Sequence, residues 1–236
     1  MPEESYPRLI SLAVHELRTP AGVVGGYLRM LQRDTEDPPS DRHRKMIDEA
    51  ERSCARLVGI IAALSEIAKL DEGLVSMAAQ ETDLFAVAAK AAGGLKEPAE
   101  QDVHLEVRGQ DAGAPMKGDR DRLEAAFGAV FHAIVREKVG PCTVVVDRRL
   151  VEEGGRPSAV IVVAEASAVQ AAYDAPPGSF DEKRGGVGLS LPLARRVIEA
   201  HRGRLWSPAV SGSGGSGRGT FDQRSARGAA IVAFPM

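Results

Sequence analysis

The chain has 236 residues, of which 44% are hydrophobic and 27% charged, enough for one large or two small cores and unlike a disordered chain. Lys and Arg number 30 against 33 Asp and Glu, a formal net charge of -3 that gives no electrostatic ground for nucleic acid or anionic lipid as a partner. Aromatic residues are only 4%, too few for a base-stacking groove, and the two cysteines, Cys54 and Cys142, lack the spacing of a disulfide framework or zinc site. No apolar run reaches membrane-spanning length, and the N-terminus has no signal-peptide core. The expectation is a cytoplasmic chain, or the soluble portion of a longer one.

The first third carries a helical pattern. Apolar positions Ile10, Val14, Leu17, Ala21, Val24, Leu28 and Leu31 alternate steps of four and three, and Met46, Ala50, Ser53, Leu57, Ile60, Leu64 and Ile67 repeat them. Asp34-Thr-Glu-Asp-Pro-Pro-Ser40 between them is made of helix breakers, with Ser40 placed to cap the second helix. The pattern predicts an antiparallel hairpin of two helices, each about 40 Å long at 1.5 Å per residue. One hairpin cannot bury two seams well. Two copies would form a four-helix bundle, which points to a homodimer; packing of the hairpin on the following domain is the other solution.

Beyond Asp71 the pattern changes to the short segments typical of α+β architecture. Asp83 to Gly93 predicts an Ala-rich helix capped by Thr82 or Asp83, and Val103–Arg108 alternates as a strand. Asp119 to Lys138 predicts a helix, with acids in its first turn. Cys142–Val151 and Ser158–Ala164 read as paired strands joined across Glu152–Pro157. Ala166–Arg184 shows no period and reads as a loop. Val187–Ala200 reads as a helix entered from glycines, and Arg204–Pro208 and Ala229–Phe234 as closing strands. Residues 211–219, rich in Gly and Ser, read as a flexible turn. The expected division is 1–72 for the helical hairpin and 73–236 for the α/β domain.

The sharpest local signal is Ala13-Val-His-Glu-Leu-Arg-Thr-Pro20. The seam uses positions 14 and 17, so His15 is turned to solvent, where an imidazole is a capable nucleophile toward phosphorus. Glu16 can act as a base or orient the ring, and Thr19, four residues on, shares the helix face of His15. Pro20 removes a helical N–H and should bend the helix beyond the site. Gly185, Gly186 and Gly188 form a second signal, a glycine loop ahead of a helix, where bare N–H groups suit a phosphate.

These features resemble the catalytic core of a sensor histidine kinase. His15-Glu-Leu-Arg-Thr-Pro20 is similar to that family's phosphoacceptor box, and the hairpin to its dimerisation and phosphotransfer domain. Gly185-Gly-Val-Gly-Leu-Ser-Leu191 and the helix through Gly203 resemble its second glycine box. Asp119-Arg-Asp-Arg-Leu123 resembles the lead-in to its asparagine box, and Gly228–Pro235 its closing strand. The resemblance implies a Bergerat-type α/β sandwich that binds ATP and Mg2+. It implies nucleotide contacts from Glu165, Arg136, Phe180, Gly185, Gly186, Gly188 and Leu189, with phosphoryl transfer from ATP to His15 and on to an aspartate of a response-regulator receiver domain. Input would come from an upstream sensor domain or partner kinase.

Some positions depart from the family pattern. The two asparagines fall at Ala129 and Ala133, the second being the expected magnesium ligand, and alanine offers no ligand atom. His132 beside it is a poor substitute and reads as a partly buried helical residue. The first glycine box appears as Glu165-Ala-Ser-Ala-Val169, without its glycines. The resemblance with these losses implies weakened ATP binding. It leaves three readings: an active kinase, a degenerate one acting as phosphotransferase or regulator phosphatase, and a non-catalytic docking dimer.

Overall fold

The computed structural model describes residues 5–95, 102–186, 188–209 and 228–236; the predicted glycine-rich turn at 211–219 lies outside them. The chain separates into two compact units, Met1–Val75 and Ser76–Met236. No helix among the described residues is long and apolar enough to cross a membrane.

The first unit is a hairpin of α1 (Ser5–Gln32) and α2 (Asp41–Asp71). The turn between them is built locally. Asp34 Oδ1 accepts the N–H groups of Glu36 and Asp37, each at 3.0 Å, and Ser40 Oγ caps α2 by accepting from His43 N at 3.4 Å. α1 runs through Pro20 as one helix. The helices are antiparallel: Gln32 Nε2 donates to Asp48 Oδ1 at 2.7 Å, and further along Cys54 Sγ donates to the Ala21 carbonyl at 3.3 Å.

The intrachain contact differs from the expected seam. Val14 and Gly25 are buried on α1, and Cys54, Ile61, Ile67 and Ala68 on α2. Leu17, Val24 and Leu31 remain 50%, 52% and 52% exposed, and Met46, Leu57 and Ile60 remain 59%, 57% and 38% exposed. Small side chains allow the close approach: a Cβ on Gly25 would sit 3.3 Å from Cys54 Sγ. Val14, Ile61 and Ile67 are thus the larger side chains at the hairpin's own interface, while Leu17, Val24, Leu31, Met46, Leu57 and Ile60 point away from it. A heptad count registers only that apolar residues recur, and it cannot separate two adjacent faces of one helix.

The second unit is a six-stranded mixed sheet with helices on both faces. The elements are β1 (Gln80–Asp83), α3 (Leu84–Gly93), β2 (Val103–Gly109), β3 (Pro115–Gly118), α4 (Arg120–Arg136), β4 (Cys142–Glu153), β5 (Arg156–Glu165), α5 (Val169–Asp174), β6 (Pro177–Gly178), α6 (Ser190–Ala200), β7 (Arg204–Pro208) and β8 (Ala230–Pro235). The sheet order is β2-β4-β5-β8-β7-β6, with β2 and β4 parallel and the other neighbours antiparallel. β1 and β3 form a separate two-stranded pair. The β4–β5 hairpin turns at Gly154 and Gly155, whose φ of 61° and 76° match the two left-handed positions of a tight hairpin turn.

Residue alternation on β5 explains the two covered faces. Ala159, Ile161 and Val163 face α3, α4 and α6, where Phe85, Phe127, Phe131, Phe234, Leu191 and Ile198 complete a fully buried core. Phe127 stacks on Phe131 with centroids 5.8 Å apart and meets Phe234 edge-on at 6.2 Å. On the opposite face Val145, Val160, Val162, Ala164, Ile231 and Ala233 pack against Val169 and Ala172 of α5. The expected loop over 166–184 thus contains a short helix. Its six residues span less than two turns, too few to establish a period in sequence, and burial against the sheet stabilises it.

Candidate functional site

The His15-Glu-Leu-Arg-Thr-Pro20 string lies in the middle of α1. His15, Glu16 and Thr19 are all exposed, with Val14 between the helices anchoring that turn at 4% exposure. Thr19 follows His15 by four residues in continuous α-helix, so the hydroxyl and the imidazole share one face. The arrangement presents a nucleophile, a carboxylate and a hydroxyl on one turn of an anchored helix, open to an incoming partner.

In the second unit the remaining predicted residues are spread over the end of α4, the end of β5 and the segment before α6, and of the glycines Gly185 packs on α4. Asp119 begins that helix, its Oδ1 accepting from Arg122 N at 3.1 Å while its own N–H donates to His201 Nε2 at 2.9 Å. Ala129, Ala133 and Glu137 follow one face at four-residue steps. Ala133 is fully buried. Gly185, at φ 64°, lies directly on it: a Cβ there would be 2.7 Å from Ala133 Cα and 2.9 Å from Ala133 Cβ. Gly186 and Gly188 also have positive φ, but nothing lies within 4 Å of where their Cβ would stand. Leu189 occupies the N-cap position of α6 and makes no side-chain cap.

Glu165, at the end of β5, is exposed; its Oε2 lies 3.7 Å from Lys138 Nζ, which also donates to the Gly228 carbonyl at 3.2 Å. Cys142 adjoins this group. Burial raises its thiol pKa, Lys138 opposes the rise and Glu165 adds to it. Arg136 and His132 are exposed on α4, and Arg136 follows Ala133 by three residues and Ala129 by seven, so it borders their face. His132 is thus exposed rather than partly buried; partial desolvation and then the Arg136 charge lower its pKa. Phe180 is buried at 7% exposure, with the guanidinium carbons of Arg184 and Arg195 5.2 and 5.9 Å from its ring centroid.

Arg184 and Glu137 are the residues that sequence reading missed. The Arg184 side chain is 2% exposed. Its Nη2 and Nε donate to Glu137 Oε2 at 2.6 and 3.2 Å, and its Nη1 to Ser207 Oγ at 3.3 Å and the Ala229 carbonyl at 3.5 Å. Glu137 Oε1 accepts from Gly185 N at 3.2 Å. The partners are 47 residues apart, so no local pattern announces the pair. The one clue is a basic residue immediately before the glycine run.

Mg2+ seeks hard oxygen ligands; Ala129 and Ala133 supply none, and the Glu137 carboxylate on the same face is taken up by Arg184 and the Gly185 amide. Among the described residues no group of three or more His, Cys, Asp or Glu is positioned to hold a metal ion. The glycine loop rests on Ala133, and Arg184 is fully engaged by protein atoms beside it. As arranged, these residues do not fit Mg2+.

Comparison with known proteins accords with both units. Residues 8–73 match the family model of the His Kinase A (phospho-acceptor) domain. The chain is 27% identical over 206 residues to the signal transduction histidine-protein kinase BaeS of Escherichia coli (strain K12), covering 81% of this chain and 41% of that protein. Among solved structures, full-length ShkA in complex with AMPPNP matches with a TM-score of 0.65 at 18% identity, covering 97% of this chain and 45% of that one. Histidine kinase ThkA in complex with the response regulator protein TrrA matches with a TM-score of 0.51 at 14% identity, covering 97% of this chain and 61% of that one. At these identities the structural likeness is one of fold.

Proposed function

Taking this chain as a sensor histidine-kinase core, a His Kinase A domain followed by an ATPase-type domain, we propose that its function is two-component phosphotransfer centred on His15. The imidazole takes a phosphoryl group and exchanges it with an aspartate on a response-regulator receiver domain. In the transfer from the regulator a nitrogen lone pair of His15 attacks phosphorus. The N–P bond forms as the bond to the aspartyl oxygen breaks, and the regulator recovers its carboxylate. Glu16 orients the ring or accepts its proton, and Thr19 helps place the water that dephosphorylates the regulator.

The observation that carries this reading is the exposed His15–Glu16–Thr19 turn in a matched phosphoacceptor domain. The solved complex of ThkA with TrrA supports a regulator as partner. Homodimerisation is part of the proposal, because Leu17, Val24, Leu31, Leu57 and Ile60 leave an apolar strip that a second hairpin would cover. Self-phosphorylation from ATP is a second reading, favoured by the ATPase-type frame and its likeness to the AMPPNP complex of ShkA.

The test offers the purified chain and its His15→Ala variant two labelled donors separately: a phosphorylated receiver domain and γ-labelled Mg-ATP. Acid-labile label from the receiver on the wild type alone is expected. Label from ATP on the wild type alone would establish the second reading. Equal labelling of the His15→Ala variant would refute His15 as the carrier. In the same preparations Leu57→Glu should convert a dimer to a monomer by sedimentation, with helical content retained.

A further inference from the structure

We propose that the ion pair of Arg184 with Glu137 is a latch that holds Arg184–Gly186 closed on the end of α4 without a bound ligand. The inference goes beyond the proposed function. It concerns the second unit alone and holds whether or not His15 carries phosphoryl.

The latch rests on three linked sets of contacts. The first is the buried guanidinium, which is bound at once by the end of α4 through Glu137, by β7 through Ser207 and by the chain entering β8 through Ala229. Both Glu137 oxygens are used, one by Arg184 and the other by the Gly185 amide. Charge-assisted hydrogen bonds offset the desolvation of the buried guanidinium, and removing Glu137 would leave that charge buried and unpaired, which is costly. The second is Phe180, buried between Arg184 and Arg195. Arg195 in turn pairs with Glu182 and donates to the carbonyls of Phe180 at 3.4 Å and Leu205 at 3.3 Å.

The third is the backbone approach of Gly185 to Ala133. Ala133 is fully buried under that glycine, so a larger side chain at 133 has no room without lifting the segment. The small residue at the expected magnesium position and the arginine ahead of the glycines are therefore parts of one arrangement. Alanine lets the segment close, and Arg184 holds it closed. Ordering of the segment then needs no bound ligand.

Hydrogen exchange on the full chain tests this, with the Gly185 and Arg184 amides as reporters and Mg-AMPPNP as the probe nucleotide. In the wild type both amides should be protected without nucleotide, and Mg-AMPPNP should leave their rates unchanged. Glu137→Gln and Arg184→Ala should each speed their exchange by about tenfold or more, while the β5 amides stay slow. Three results would overturn the latch. They are wild-type reporter amides that exchange like an exposed loop, slowing by about tenfold on addition of Mg-AMPPNP, and unchanged rates in both variants with β5 intact. Loss of β5 protection in both variants would make the pair a folding element and equally end the proposal.

Discussion

The packing of Gly185 on Ala133 makes a paired prediction with its own control. Gly185→Ala and Gly186→Ala place the same methyl group on adjacent residues with φ of 64° and 60°. Both incur the left-handed backbone cost of an L-residue, about 1–2 kcal/mol. For Gly186 that is the whole cost, since no atom lies within 4 Å of the new Cβ. For Gly185 the methyl meets Ala133 Cα at 2.7 Å, Cβ at 2.9 Å and the carbonyl oxygen at 3.0 Å. These atoms belong to a buried helix and cannot rotate aside, so overpacking adds about 1–3 kcal/mol, for a total of about 2–5 kcal/mol. Urea unfolding followed by Trp206, the one tryptophan, reads the second unit directly. If the segment stays docked, the midpoint falls with the slope unchanged. If it detaches to escape the clash, the slope falls too, because less surface is then exposed on unfolding. Equal destabilisation by the two substitutions, with equal slopes, would refute the packing argument.

Two titrations give further checks. Burial raises the Asp83 carboxyl pKa, but hydrogen bonds from the N–H groups of Gly113, Ala86, Ala114 and Phe85 outweigh it and hold the group below its usual 3.8. Its contribution is therefore complete above that pH and lost as pH falls through the lower native value; Asp83→Asn should flatten that acid limb and cost about 1–2 kcal/mol at neutral pH, by urea unfolding across pH. Tyr173 has the opposite sense. Burial, then its hydrogen bond to Asp147 and that residue's charge, raise the phenol above its usual 10.0, so its contribution is complete below that pH and lost above it. One of the three tyrosines should resist phenolate formation until the second unit unfolds, and Tyr173→Phe should abolish that lagging ultraviolet transition.

Local chemistry accounts for what was legible in sequence. Ser40, Asp83 and Asp119 cap helices because each offers a side-chain oxygen to N–H groups two or three residues on. The β4–β5 pairing announced itself through two β-rich runs around Gly154 and Gly155. His15, Glu16 and Thr19 were legible because their chemistry lies within one helical turn. The two-stranded β1–β3 pair was not, because four-residue strands separated by a helix and another strand carry little period. The inward face of the hairpin was legible only in part: Val14 and Ile67 of the expected seam are buried, whereas Gly25 and Cys54 are small and do not register as apolar anchors. The Arg184–Glu137 pair depends on the tertiary fold bringing distant residues together, and only coordinates show it.

The position of β8 also governs the order in which the second unit can assemble. β4 and β5 are joined by a tight turn and pair with little loop-closure cost. β8 instead inserts between β5 and β7, pairing Val162 with Ile231 and Leu205 with Val232. Until Ala230–Pro235 is in place, the sheet exists as two fragments, β2-β4-β5 and β7-β6, each with a raw inner edge. Closing the gap is a long-range event, slow relative to the local hairpin, and it exposes two strand edges to foreign partners in the interval. The same strand contributes Phe234 to the aromatic core, so sheet closure and core completion are one step.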